Sequence, residues 1–149
     1  DWPWWEREHR IACAPGTFGE NLTLDGVDDS KIAIGDRFTW GECELEVAQP
    51  RSPCFKFNIH TRHEDAALLM MQSGRCGFYL RVTREGRAPV DGAVLHHSFA
   101  SQGPSVRETF LAAHDPQFSR ERRAEIMQAP RLADSWRFSL AKRLRSAPN

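Results

Sequence analysis

Hydrophobic and polar residues alternate strictly in "ECELEVAQ", which is the clearest pattern in the first half of the chain. One side of the alternation carries Cys43, Leu45 and Val47. The other side carries three glutamates: Glu42, Glu44 and Glu46. Because successive side chains of a strand point to opposite faces of a sheet, this segment is predicted to be a half-buried antiparallel strand. Gly41 predicts a turn between it and "DRFTW".

Shorter segments repeat this pattern. "GFYLRV" alternates and ends at the turn "REGR", "AVLHHSF" follows Asp91 and Gly92, and "LTL" follows a glycine-rich stretch. Two segments indicate helices: "DWPWWEREH", with Pro3 near its start, and "HEDAALLMMQSG", which ends at Gly74. Residues 1–100 are therefore predicted to form a mainly β domain of the α+β class. We expect a closed or nearly closed barrel with a short helix across it.

The hydrophobic period changes after Gln102 to that of helices. Ser105 and Glu108 form a capping box, and Ser119 caps a second helix that ends before Pro130. A third helix is predicted where apolar residues recur every four positions: Leu132, Trp136, Leu140 and Leu144. Residues 104–149 are therefore predicted to be a three-helix appendage, which we call the tail.

Composition narrows the function classes. Lysine plus arginine equals aspartate plus glutamate, at 20 each, so the chain has no overall field that draws it to nucleic acid or to an anionic membrane. No apolar run is long enough for a membrane span and no signal sequence opens the chain, so we expect a cytoplasmic protein. The chain opens on Asp1 rather than Met, and we expect missing material upstream.

The four cysteines show no CxxC pair and no tight spacing with histidine, which argues against a zinc ribbon or a disulfide framework. Cys54 has the most informative surroundings, in "PRSPCFKF". Pro50 and Pro53 restrict its backbone, and Arg51 and Lys56 are nearby cations that favour a thiolate. Two interpretations have equal support from these residues: a reactive or metal-binding thiolate, and a buried thiol in a proline-rich crossover.

Two further stretches are informative. "GTFGENLTLDG" places glycines around Phe18, followed by Glu20 and Asn21, and suits close approach of the backbone to a ligand. "SGRCGFYLRV" places Arg75 between two glycines at the junction of a helix and a strand. Taken alone, the first is better explained as an ordinary turn and the second as the end of a helix.

Taken together, the stretches "GTFGENLTLDG", "IGDRFTWGECELEVAQPRSPCFKF" and "SGRCGFYLRV" resemble, in order and spacing, the MOSC domain family, named for the C-terminal domain of molybdenum cofactor sulfurase. The resemblance is closest to a stand-alone bacterial branch linked to detoxification of N-hydroxylated purines such as 6-hydroxylaminopurine. That branch carries a C-terminal three-helix appendage, which matches the tail. The resemblance covers essentially the whole chain, and the combination of "FGENL" and "PRSPC" makes it specific.

The resemblance implies a β-barrel that binds the molybdenum cofactor, with Cys54 as the protein ligand to molybdenum. A soft thiolate suits molybdenum, and the cofactor's phosphate requires cations and N–H donors. Arg51 and Lys56 are the nearest candidates for the phosphate, followed by Arg75 and Arg81. From the glycine-rich stretch, we expect Phe18, Glu20 and Asn21 to contribute to the cofactor site. Family members begin with further strands that this chain lacks, and those strands form one wall of the pocket.

The leading hypothesis is an oxidoreductase that reduces N-hydroxylated bases and related compounds to amines at molybdenum. Candidate proton donors are Asp36, Glu20, His60 and His63. The sequence has neither an iron–sulfur cysteine pattern nor a dinucleotide-binding glycine loop, so a separate electron-transfer protein is expected to supply electrons.

Two other hypotheses stay open. In the first, the protein carries the molybdenum cofactor, or sulfur on a cysteine, to other enzymes without turnover. In the second, which is the less favoured, it binds nucleic acid through the basic residues of the tail: Arg120, Arg122, Arg123, Arg131, Arg137, Lys142, Arg143 and Arg145. Interspersed acids argue against the second. Dimerisation, or covering of the pocket, is an alternative role for the tail.

Overall fold

The structure, a computed structural model, describes residues 1–98 and 103–146. The N-terminal region contains α1 (Trp2–His9), β1 (Arg37–Trp40), β2 (Cys43–Pro50), α2 (Phe55–Thr61), α3 (Ala66–Ser73), β3 (Phe78–Arg84) and β4 (Leu95–His97). The tail contains α4 (Val106–His114), α5 (Arg120–Met127) and α6 (Asp134–Ser146). The predicted α+β class, with a helical tail after a sheet, is confirmed. Phe99, the last residue of the predicted strand "AVLHHSF", lies outside the described residues.

The four strands form an antiparallel sheet in the order β3-β2-β1-β4. In the hairpin of β1 and β2, Phe38 pairs with Leu45 and Trp40 with Cys43. Gly41 turns this hairpin with a φ of 59°, and a Cβ at Gly41 would lie 2.5 Å from the carbonyl oxygen of Arg87. Glycine is therefore required at this turn, because any side chain would collide with backbone.

A single hydrophobic core joins the sheet to the tail. Large buried side chains come from both regions, among them Trp5, Phe38, Phe57, Phe110 and Leu140. The backbone also ties the regions together, since the amide of Ala133 donates to the carbonyl of Ala48 at 3.0 Å. The tail therefore packs on β2 and buries its apolar stripes there, rather than forming a separate bundle.

The helix boundaries follow local sequence signals. The side-chain oxygens of Ser105 and Ser119 accept from the backbone amides of Glu108 and Arg122, as the predicted caps require. Gly74 ends α3 in the left-handed region, with φ 70°. The first helix begins with proline at its N-terminus, as predicted.

One helix was missed and two local expectations were wrong. No helix was predicted at α2, although a proline-rich crossover was one of two interpretations for the segment before it. The "LTL" segment at residues 22–24 is not a strand. Glu46 was placed on a polar face, yet it is buried, because the tail covers that face of the sheet at Arg131.

Most arginines of the tail have partners inside the chain. Arg123 is buried and donates to the carbonyl oxygens of Ala112 and Asp115 at 2.6 and 3.0 Å. Arg122 pairs with Glu108 and Glu125. Others donate to carbonyls near helix ends: Arg120, Arg137 and Arg143. These guanidinium groups satisfy carbonyls that helix termini leave without partners.

Candidate functional site

Cys54 stands at the exposed end of the segment that links β2 to α2. It is the N-cap residue of α2, with extended backbone (φ −146°, ψ 159°), and its side chain makes no capping hydrogen bond. Pro53, immediately before it, has a fixed φ and disfavours helical backbone at Ser52, so the chain that leads to Cys54 is restricted. Of the two interpretations of this residue, the structure rules out the buried thiol, because Cys54 is exposed.

The other three cysteines are less accessible. Cys13 is half-buried, and burial raises the pKa of its thiol to about 11. Cys76 is buried, and burial also raises the pKa of its thiol well above the usual range. The Cys43 thiol is half-buried and donates to the carbonyl of Gly86 at 3.1 Å. Among the described residues, Cys54 is thus the cysteine best placed to react or to bind a soft metal.

Aromatic side chains hold the glycine-rich loop against α2. The ring of Phe18 lies 5.4 Å from that of Phe57, and Trp5 packs edge-on against both, at 5.7 and 5.6 Å between centroids. Edge-to-face contacts in this range are favourable beyond their burial alone. Phe18 therefore positions the loop by packing into the core.

Arg51 and His60 lie against the same loop. The Arg51 guanidinium carbon is 5.2 Å from the centroid of the Phe57 ring, a cation–π contact. A Cβ added at Gly19 would lie 3.6 Å from Nε2 of His60 and 3.9 Å from a terminal nitrogen of Arg51. The missing side chain at Gly19 thus leaves room beside one cation and one imidazole. We call Gly19, Arg51, Cys54 and His60, with Phe18 and Phe57 beneath them, the Cys54 site.

The carboxylate of Glu20 stabilises the conformation of the glycine-rich loop. Its carboxylate accepts from the backbone amides of Gly16 and Phe18 at 2.8 and 3.0 Å, and from the hydroxyl of Thr23 at 3.0 Å. These three bonds occupy the carboxylate, which therefore shapes the loop. Asn21 follows it and is exposed. Lys56, on the first turn of α2, is exposed as well.

The "SGRCG" stretch reaches the Cys54 site through its backbone. The amide of Arg51 donates to the carbonyl of Gly77 at 3.0 Å. A buried carboxylate fixes this stretch, since Asp29 accepts from the amides of Cys76 and Gly77 at 3.0 and 3.4 Å. Burial raises the pKa of Asp29, and those two hydrogen bonds oppose the rise. The sequence analysis missed Asp29, and no local pattern could have identified it, because its partners are 47 and 48 residues away.

The side chains of the other two candidate arginines have partners elsewhere. Arg75 forms an ion pair with Asp1, and its guanidinium carbon lies 4.9 Å from the centroid of the Trp4 ring. Arg81 donates to Glu46 at 3.0 Å, beside the tail. The three family-like stretches therefore meet at Arg51, three residues before Cys54. Of the four cationic candidates, contacts among the described residues place only Arg51 at this junction, whereas Lys56 is near it by its position two residues after Cys54.

Of the candidate proton donors, only one lies at the Cys54 site. Asp36 is buried and its Oδ2 lies 2.8 Å from Nε2 of His96, away from the cysteine segment. The ring nitrogen Nδ1 of His63 accepts from the amide of Asp65 at 3.2 Å. Glu20 is held inside its loop. His60 is exposed and borders Gly19, so it is the donor candidate that the structure places at the Cys54 site.

An α+β fold with a helical tail, and an exposed cysteine close in sequence to Arg51, agree with the family comparison. The model of the MOSC domain matches residues 1–95, and the model of the YiiM-like 3-alpha helix domain matches residues 104–147. The chain therefore belongs to the MOSC domain family.

Among relatives, "Protein YiiM" of Escherichia coli is 35% identical over 144 residues, which cover 94% of this chain and 63% of that protein. A protein of Gibberella moniliformis named "Reductase" is 38% identical over 72 residues, covering 48% of this chain and 13% of that protein. The crystal structure of YiiM from Geobacillus stearothermophilus superposes with a TM-score of 0.86 at 28% identity, covering 96% of this chain and 73% of the other. The chain thus spans slightly less than two thirds of the curated YiiM relative.

The residues of the Cys54 site fit the molybdenum cofactor that the family implies. Cys54 offers a soft thiolate ligand to the metal. Arg51 and Lys56 offer cations to the phosphate, and the space that a Cβ at Gly19 would fill lies open beside Arg51 and His60.

Among the described residues, no helix is long and apolar enough to cross a membrane.

Proposed function

We propose that the chain is a molybdenum-cofactor-binding oxidoreductase that reduces N-hydroxylated bases and related compounds to amines. The observation that carries the proposal is the exposed thiol of Cys54, three residues after Arg51, which contacts the other two stretches that resemble the family. Membership of the MOSC family and a partial relative named a reductase support it. When bound, the cofactor would supply two-electron oxygen-atom transfer.

The chain's own residues would hold the cofactor and move protons. Cys54 would bind the metal, and Arg51 and Lys56 would bind the phosphate by charge-assisted hydrogen bonds. Contact with Phe57 orients the Arg51 guanidinium, so that less side-chain freedom is lost on binding. His60 would deliver a proton next to the open space at Gly19.

The overall reaction balances as R–NHOH + 2e⁻ + 2H⁺ → R–NH₂ + H₂O. The N–O bond breaks, the nitrogen is reduced and the oxygen leaves as water. The two electrons would come from a separate electron-transfer protein, since the chain carries no sequence pattern for an iron–sulfur cluster or a dinucleotide.

The test is molybdenum analysis and reductase assay of three proteins made in parallel in a host that synthesises the cofactor: the wild-type chain, Cys54→Ser, and the control Cys43→Ser. The substrate is 6-hydroxylaminopurine and the electron donor is reduced methyl viologen. We expect wild type and Cys43→Ser to contain molybdenum and to form adenine, and Cys54→Ser to lose both. Molybdenum retained in Cys54→Ser would show that another group holds the metal.

The carrier hypothesis rests on the same exposed thiol, and the same proteins distinguish the two. Molybdenum bound by wild type without formation of the amine, or a persulfide on Cys54 in the mass spectrum, would favour a carrier. Nucleic-acid binding is not proposed, because the tail arginines with carbonyl or carboxylate partners serve the tail itself.

A further inference from the structure

A cleft of about 390 Å³ lies between the tail and the segment that precedes Cys54. Ser52 lines it from that segment and His114 from the end of α4. The residues of α6 that line it are Trp136, Ser139, Lys142, Arg143 and Ser146. Its volume lies within the range of roughly 300–1,000 Å³ for small-molecule sites, so it suits a single small ligand.

One wall of the cleft is aromatic. The ring of His114 lies 4.4 Å from that of Phe110 and 6.1 Å from that of Trp136, to which it is nearly perpendicular. Burial, assisted by the charge of Arg143, lowers the pKa of His114. The imidazole is therefore neutral at pH 7, with one nitrogen donating and the other accepting. A planar heterocycle could stack against these rings and form a hydrogen bond with a ring nitrogen of His114.

The cleft also carries two cations, Lys142 and Arg143. The Nε of Arg143 donates to the carbonyl of Ala113 at 2.8 Å, which fixes the guanidinium at the end of α4. Among the described residues, no carboxylate lines the cleft and none pairs with Arg143 or Lys142. The remaining N–H groups of Arg143 and the ammonium of Lys142 can therefore bind an anion, with hydroxyls of Ser52 and Ser139 nearby.

We propose that this cleft binds a small aromatic anion of the size and chemistry of a nucleoside monophosphate. The acidic group binds Lys142 and Arg143, and the ring packs against His114 and Trp136. Neither the family models nor the relatives' names assign a ligand to this cleft.

The cleft also suggests which form of substrate reaches Cys54. Ser52 precedes Cys54 by two residues, so a ligand in the cleft contacts the segment that carries the thiol. The tail then selects phosphorylated N-hydroxylated nucleosides over free bases. This last step rests on the proposed reductase function, whereas binding in the cleft does not.

Binding is measured by titration calorimetry on the full chain with three probes: adenosine monophosphate, adenosine and inorganic phosphate. We expect the monophosphate to bind best, and each of the other two to bind at least about ten-fold more weakly, since each keeps one half of the contacts. If inorganic phosphate bound as tightly as the monophosphate, the proposed packing of the ring against His114 and Trp136 would be refuted. No binding of any probe would overturn the proposal.

Two lysine variants give a matched comparison. Lys142→Ala should weaken the monophosphate about five- to ten-fold, because it removes one charge-assisted contact. The control Lys31→Ala removes an exposed lysine outside the cleft and should leave binding unchanged. Equal affinities of the two variants would contradict the cleft as the site. Cys54→Ser should bind the monophosphate like wild type.

The substrate step is tested with cofactor-loaded protein. Lys142→Ala should raise KM for the monophosphate of N-hydroxylated adenosine about five- to ten-fold, while leaving kcat and the KM for 6-hydroxylaminopurine unchanged. Equal KM values of wild type for the two substrates would refute the substrate role. If the protein reduces neither compound, the reductase proposal fails, while the calorimetry still decides whether the cleft binds the anion.

Discussion

The carboxylate of Glu46 accepts a hydrogen bond from the guanidinium of Arg81 at 3.0 Å, although the Glu46 side chain is only 2% exposed. The two residues face each other across β2 and β3. Arg37 and Arg131 lie 3.7 Å from the same carboxylate, and Arg131 belongs to the tail. A buried charge with three cationic neighbours thus connects three strands with the tail.

Glu46→Gln should lower the free energy of unfolding by about 1–3 kcal/mol, because charge-assisted bonds to a buried carboxylate are lost while the partners stay partly solvated. Chemical denaturation of purified protein measures it. The control Glu44→Gln removes a half-exposed carboxylate that pairs with Arg84, and should cost less than about 1 kcal/mol. Equal losses in the two variants would contradict a special role for Glu46.

Arg81→Gln should affect stability and leave molybdenum content unchanged, whereas Arg51→Gln should reduce molybdenum content. Arg81 has its partner at Glu46, and Arg51 lies at Gly19 beside the cysteine segment. Metal analysis of the two variants, with denaturation curves for both, gives the comparison. If Arg81→Gln lost as much molybdenum as Arg51→Gln, Arg81 would also be needed to hold the cofactor, against this prediction.

Alkylation by iodoacetamide at neutral pH should modify Cys54 first. Its thiol is exposed, while burial raises the pKa of Cys13 to about 11 and raises the pKa of Cys76 well above its usual range. Because the thiolate is the reactive form, Cys76 should react only after unfolding. Mass spectrometry of peptides over time follows each site. Cys43→Ser should leave the fast phase intact, and a fast phase that survives in Cys54→Ser would refute the assignment.

Local patterns predicted much of the fold, and long-range packing accounts for what they missed. Gly41 and Gly74 adopt left-handed backbone, and Ser105 and Ser119 cap amides three residues away, so turns and helix ends could be predicted from local sequence. The burial of Glu46 depends on the tail, more than 80 residues further along the chain, and a two-residue period cannot reveal it.

The candidate site was also predicted only in part. Cys54 and Arg51 lie in one short motif whose prolines restrict the backbone, so their proximity followed from the sequence. Arg75 and Arg81 were assigned by proximity to the third stretch, but the direction of a strand or loop side chain depends on its partners. Asp1 and Trp4 engage Arg75, and Glu46 engages Arg81.

His114 should make the stability depend on pH. Burial and, secondarily, the charge of Arg143 lower its pKa below the ordinary value of 6.5, and Lys142 also faces the cleft beside it. In the window between the lowered folded-state pKa and about 6.5, the unfolded chain binds more protons at this residue than the folded chain. Stability contributed by neutral His114 is therefore full above about pH 6.5 and declines as pH falls through that window.

Denaturation curves of wild type and His114→Gln between pH 5 and 8 measure this contribution. Glutamine does not titrate, so the variant should show a shallower loss of unfolding free energy on acidification, even if it is less stable at pH 8 through lost ring contacts with Phe110 and Trp136. The prediction concerns the slope of the unfolding free energy against pH and makes no statement on absolute stability. His97→Gln, at an exposed histidine in β4 outside the cleft, is measured alongside as the comparison variant. Parallel slopes for wild type and His114→Gln would show that the imidazole titrates alike in the folded and unfolded chain.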